Sequence, residues 1–174
     1  KFFMDRHMVG YYEAARWRGL SWWGITPGSR SVMIWGNPSD YEKYGSKTYR
    51  RREKLLKNRI MIPDIALKAE EMESHLRDIR EFSPEYVYGY ASALHLFSRL
   101  MLEQNLSLGL QLKAVVSTAE ILHDHEREDI EKAFGCPVVN EYGARDGGII
   151  AYQCREGSMH ISAENVVLEV VDPV

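Results

Sequence analysis

Cysteine is scarce in this chain of 174 residues. Only Cys136 and Cys154 are present, too few for a disulfide framework, so a reducing compartment, the cytoplasm, is the simpler expectation. Long apolar runs are missing: nothing approaches the roughly 20 residues of a membrane-crossing helix, and no membrane insertion is expected. A basic excess is missing too. The formal net charge is -3, which gives no support for nucleic acid as a partner. There is no internal repeat and no low-complexity segment. The start, Lys1-Phe2-Phe3-Met4-Asp5-Arg6, has neither an initiator methionine nor a secretory signal, and the end stops just after a strand-like run. An internal piece of a longer protein is the expectation.

What remains is enough for one domain, which at this length buries about two-thirds of its unfolded surface. The pattern alternates amphipathic helices with short apolar strands. A helical spacing from Asp5 to about Leu20 gives way, after Pro27-Gly28, to a strand over Ser31–Trp35 that breaks at Gly36-Asn37-Pro38. A basic helix from about Lys47 to Asn58 leads to Ile60-Met61-Ile62 and Pro63. A helix is predicted over 66–82, a strand over 86–88, a helix over 91–104, a strand over 113–117, a helix over 123–134 and a strand over 136–140. Such alternation implies an α/β fold: a mostly parallel sheet flanked by helices. After residue 148 the helices cease, and 149–154, 159–162 and 166–171 read as strands of an antiparallel β subdomain that begins there.

Ligands in such sheets gather beyond the carboxyl ends of the strands. That rule selects two loops, Ser117-Thr118-Ala119-Glu120 and Tyr142-Gly143-Ala144-Arg145-Asp146-Gly147-Gly148. Tyr142 offers a ring for stacking on a base, Gly143 allows close backbone approach, and Asp146 offers a carboxylate for a hard cation beside phosphates. The plainer alternatives are a Gly-rich turn with Arg145 and Asp146 as a surface pair, and Ser117-Thr118 as a helix cap.

These segments, with Phe134-Gly135-Cys136-Pro137-Val138 between them, resemble the adenylate-forming ligases, in particular the phenylacetate–coenzyme A ligase group and its CapK-like capsule-biosynthesis relatives. Gly28-Ser29-Arg30-Ser31-Val32-Met33-Ile34-Trp35-Gly36, Tyr88-Gly89-Tyr90-Ala91-Ser92-Ala93-Leu94, Gly148–Cys154, Met159-His160-Ile161 and 167–172 are similar to that branch in the same order. The resemblance implies a carboxylic acid and ATP as substrates, Mg2+ as cofactor and a thiol such as coenzyme A as acceptor. It places Tyr142 on adenine, Asn140 or Glu141 near the adenine edge, and the backbone of Gly143 and Ala144 near phosphate. Ser117, Thr118, Ala119 and Glu120 form the other wall of the nucleotide pocket, while Tyr88, Gly89, Tyr90 and Ser92 line the acyl pocket. Asp146 takes the catalytic, magnesium-binding position where relatives have glutamate. It is a methylene shorter, so metal contact needs closer backbone or a bridging water.

On this reading, residues 1–148 are the central part of the adenylating domain and 149–174 begin a β-rich subdomain. The phosphate loop is expected upstream of Lys1, and the domain bearing the catalytic lysine downstream of Val174, so these residues alone are expected to be inactive. Two rivals stand: a non-catalytic nucleotide-binding or scaffolding protein of polysaccharide biosynthesis, and a sugar-nucleotide transferase. The pattern leaves the oligomeric state open, a homodimer included. The basic run Tyr49-Arg50-Arg51-Arg52 with Lys54, Lys57 and Arg59 reads as a solvated helix face rather than a phosphate site, given Glu70, Glu71 and Glu73 nearby. Cys136, Cys154 and His160, with His123 or His125, lack tight metal-ligand spacing, so a zinc site there is not the expectation. Tyr11, Tyr12, Trp17, Trp22, Trp23 and Trp35 read as core between helix and sheet.

Overall fold

The computed structural model describes residue 3, residues 5–36 and residues 44–172. The Asn37-Pro38 break expected after the first strand lies outside the described residues, as do Lys1, Phe2, Met4 and the final Pro173-Val174. The elements are α1 (Arg6–Trp22), β1 (Ser31–Trp35), α2 (Lys47–Lys57), β2 (Arg59–Pro63), α3 (Met72–Phe82), β3 (Tyr86–Tyr90), α4 (Ala91–Glu103), β4 (Ala114–Thr118), α5 (Asp124–Phe134), β5 (Val138–Ala144), β6 (Gly148–Gln153) and β7 (Met159–Ile161). They build one seven-stranded sheet in the order β2-β1-β3-β4-β5-β6-β7. Strands β2 to β5 pair in parallel, and β6 and β7 add antiparallel strands at one edge of the same sheet.

A parallel sheet has to be covered on both faces. On one side Met72, Leu76 and Ile79 of α3, Leu94, Phe97 and Met101 of α4, and Ile130 and Phe134 of α5 close over Val32, Ile34, Val87, Val115 and Val138. The i, i+4, i+7 spacing of the α3 residues makes that stripe. On the other side α1, capped by the Asp5 carboxylate accepting from the Met8 amide (2.8 Å), lays Ala15 and Leu20 against Tyr86, Val116, Val139, Ile149 and Tyr152. Tyr12, Trp17, Trp22, Trp23 and Trp35 pack into this second core as expected, whereas Tyr11, expected there too, is exposed because it lies on the outer side of α1.

Three expectations are corrected. The predicted helix over 66–82 is α-helical only from Met72; before it the chain makes 3-10 turns at Asp64–Ala66 and Ala69–Glu71. The buried Leu67 lies five residues before Met72, out of phase with the i, i+4, i+7 stripe, so one straight helix could not bury both. Residues 166–171 form no strand. No described strand pairs with them, and Val167, Val170 and Val171 are exposed, because an apolar alternation becomes a strand only beside a partner edge. The fifth strand also runs further than Asn140. Pairing of Glu141 with Tyr152 and of Ala144 with Gly148 draws Tyr142 and Gly143 into the sheet, leaving only 145–147 as a turn.

The basic run of α2 is a solvated face except at its end. Glu53 is fully buried and accepts from Lys57 (3.0 Å) and Arg59 Nε (2.8 Å). Burial alone would raise the Glu53 carboxyl, but these hydrogen bonds hold it below its ordinary value. Among the described residues no helix is long and apolar enough to cross a membrane.

The seat of α1 on the sheet depends on one glycine. A Cβ at Gly19 would lie 2.2 Å from Cγ of Tyr152, a ring 2% exposed with no room to retreat. Alanine ordinarily favours a helix by about 1 kcal/mol over glycine. Here Gly19→Ala is expected to lower stability instead, by about 1–3 kcal/mol. Chemical denaturation of both proteins checks the sign.

Candidate strand-end nucleotide site

Parallel register places the ends of three strands side by side. Gly89 pairs with Ser117 and Tyr90 with Thr118; Ser117 in turn pairs with Asn140 and Thr118 with Glu141. The segments singled out as Tyr88–Ser92, Ser117–Glu120 and Asn140–Ala144 therefore meet at one end of the sheet. Gly89 is required there: a Cβ would lie 2.5 Å from the carbonyl oxygen of Ile34 on β1, which is backbone and cannot give way. Gly143 is required as well, since a Cβ would meet the Gly148 carbonyl oxygen at 2.9 Å, beside an irregularity in the β5–β6 register.

The side chains then divide by strand alternation. Tyr142 is 52% exposed at the sheet's end. Asp146 is exposed in the turn that follows, and no salt bridge holds its carboxylate among the described residues. Ser117 points inward and is fully buried. Ala119 adopts a left-handed backbone (φ 67°), an uncommon conformation for a residue with a Cβ, at the point where the chain leaves β4. Glu120 Oε2 accepts from the Ser92 amide at 2.9 Å, tying this turn to the start of α4. Tyr90 packs on Trp35 with ring centroids 4.1 Å apart.

Glu141 sits elsewhere than at a ligand's rim. It is 2% exposed, on the α1 face, with Tyr88 and Thr118 as hydrogen-bond partners on neighbouring strands. The Tyr88 hydroxyl (2.5 Å) and the Thr118 hydroxyl (2.8 Å) both donate to Oε1, while Oε2 has no partner among the described residues. Burial pushes the Glu141 carboxyl above its ordinary 4.5, with the two hydroxyl donors and Arg16 opposing that shift. Tyr88 is held well above 10 by burial first and by the neighbouring Glu141 next. Beyond Tyr88 opens a cavity of about 590 Å³ between α1 and the sheet, lined by Tyr12, Arg16, Trp17, Trp35, Tyr86 and Tyr88.

The cysteine–histidine set does not assemble. Cys136 is buried, with its thiol pushed up to about 12 chiefly by burial, and the His160 ring packs edge-on to Trp22 at 5.2 Å. Sequence reasoning passed over His95, which helix α4 brings to α5; nothing short of the helix packing would reveal it.

The same fold occurs in solved proteins. The chain superposes on 2-hydroxyisobutyryl-CoA ligase, in an open conformation with 2-HIB-AMP and CoA, with a TM-score of 0.61 at 18% identity; the match covers 91% of this chain and 37% of that one. It also superposes on the anthranilate CoA ligase AuaEII in complex with anthranoyl-AMP (TM-score 0.54, 15% identity, 85% and 28% covered). Protein CapK of Staphylococcus aureus is 32% identical over 146 residues, which span 84% of this chain and 32% of CapK. This chain is a relative of CapK with the fold of the adenylate-forming ligases. The resemblance read from the sequence is thus borne out, and the chain spans about a third of the length of these CapK and CoA-ligase relatives. No family model matches it.

The buried carboxyl of this ligase-fold core makes a pH test. A raised folded pKa means that Glu141 contributes stability fully present below 4.5 and lost as pH rises through the raised value. Measured against the non-ionising Glu141→Gln, the native protein is expected to lose relative stability progressively as pH rises above 4.5. A difference that stays flat across that range would show an unshifted carboxyl.

Proposed function

We propose that this chain is the nucleotide-holding part of an ATP-dependent ligase that activates a carboxylic acid as an acyl-adenylate and passes the acyl group to a thiol such as coenzyme A. The observation that carries the reading is the exposed Tyr142 ring at the carboxyl end of β5, followed four residues later by the unpaired Asp146 and flanked by the Thr118–Glu120 turn. The CoA and acyl-AMP ligands named for 2-hydroxyisobutyryl-CoA ligase, and the anthranoyl-AMP of AuaEII, support it. On this reading residues 1–148 belong to the adenylating domain and 149–174 open the β-rich part that follows.

In the first step an oxygen of the acid attacks the α-phosphorus of ATP, and the bond to pyrophosphate breaks. In the second the thiol sulfur attacks the acyl carbon, AMP leaves, and the thiol proton is released. Tyr142 stacks on the adenine, and base–ring stacking of this kind is worth about 1–3 kcal/mol. Asn140 lies beside it at the base edge, and the backbone at Gly143 and Ala144 approaches phosphate. The exposed Asp146 fits a magnesium ion, directly or through water, and that ion supplies neutralisation of phosphate oxygens. The aromatic cavity against Tyr88 offers room for the acid, whereas Gly89, Tyr90 and Ser92 do not line it.

A second reading has Asp146 for support: the carboxylate is shorter than the family's glutamate, which suits a nucleotide-binding scaffold without catalysis. Acid-dependent ATP–pyrophosphate exchange by the full-length protein separates the two. The ligase reading expects exchange with some members of a carboxylic-acid panel, reduced about tenfold or more in Tyr142→Ala and in Asp146→Ala. A folded protein that binds adenosine nucleotides and exchanges with no acid would favour the scaffold.

A further inference from the structure

Away from the strand-end site, helices α4 and α5 bring together His95, His125 and Glu126, with one ligand atom from each within 4.8 Å of the others. We propose that these three side chains form a binding site for one divalent transition-metal ion of the zinc type, clamping α4 to α5.

The donor set is specific. Two imidazole nitrogens and one carboxylate oxygen suit zinc, cobalt or nickel, whereas magnesium and calcium prefer all-oxygen sites. His95 Nδ1 faces Glu126 Oε1 at 3.9 Å, and its other nitrogen, Nε2, is 2.9 Å from Asp129 Oδ2. A proton on Nε2, shared with the Asp129 carboxylate, leaves the Nδ1 lone pair free for a metal. A carboxylate behind a ligating imidazole is the usual way in which such ligands are aimed.

Glu126 is likewise divided. Its Oε2 accepts from the His123 amide (2.9 Å) at the start of α5, which fixes the side chain and leaves Oε1 toward His95. The His125 ring stands edge-on to His95 at 5.5 Å and parallel to His123 at 5.7 Å, so a further imidazole is at hand. Ligand atoms on one tetrahedral zinc lie closer together than 4.8 Å, at metal–ligand distances of about 2.0–2.2 Å. Rotation of the exposed His125 side chain supplies part of that contraction, and a few tenths of an ångström of side-chain movement closes His95 and Glu126 from 3.9 Å.

The position gives the clamp a purpose. Both helices begin at the strand-end site: α4 at Ala91, directly after Tyr90, and α5 six residues after Thr118. An ion between them would stiffen the two helix starts that frame the Ser117–Glu120 turn. The plain alternative is a metal-free pair, His95 with Asp129, that merely links the helices.

Cobalt titration of the untagged protein, followed by its visible ligand-field bands, decides between them. One equivalent of cobalt is expected to bind and to be displaced by zinc. His125→Ala, a change at an exposed position, is expected to weaken binding at least tenfold with an unchanged circular dichroism spectrum. Asp129→Asn is expected to weaken it by about tenfold or more, and His160→Ala to leave it as it was. Affinity weaker than about 0.1 mM in the native protein, or binding that survives His125→Ala, would overturn the site.

Discussion

Everything in this fold depends on the in-register parallel pairing of β3, β4 and β5. Their partners run Tyr88 to Val116, Gly89 to Ser117 and Thr118 to Glu141, so the strands end level with one another. Level ends are what turn three separate stretches of chain into one surface. They also oblige both faces to be covered, which α3, α4 and α5 do on one side and α1 on the other. Gly89 and Gly143 are the two places where the backbones come too close for any side chain.

That pairing imposes a second constraint. Strand alternation puts Glu141 on the same face as the buried Val139, which commits a carboxyl to the core against α1. A buried carboxylate without partners would cost several kcal/mol. The Tyr88 and Thr118 hydroxyls reduce that cost, and the pairing that aligns the strand ends also puts these donors within reach. The neighbouring residue, Tyr142, is turned the opposite way and faces solvent. One strand thus supplies a polar tie inside the core and an exposed ring at its end.

Much of this was legible in the residues. Five-residue apolar runs such as Ser31–Trp35 fall where strands form, and the two loops chosen by the strand-end rule do lie on adjacent strands. Other features were not legible for physical reasons. The split of 64–82 into short turns and a helix follows from burying Leu67, which a charge-rich window conceals. Residues 166–171 alternate like a strand, but alternation cannot report whether a partner edge exists. The strand-end rule groups Glu141 with Asn140 and Tyr142, but counting two residues from Val139 puts it inside the core. His95 and Glu126 are 31 positions apart, and only the packing of α4 on α5 brings them together.

The central claim is that Tyr142 at the end of β5 receives an adenine ring. Calorimetric titration with ATP and with UTP, on the native protein, Tyr142→Phe and Tyr142→Ala, addresses it directly. The account predicts that ATP binds more tightly than UTP, that phenylalanine preserves this preference, and that alanine weakens ATP binding about tenfold or more. Equal affinity for the two nucleotides, or ATP binding unchanged by alanine, would contradict it.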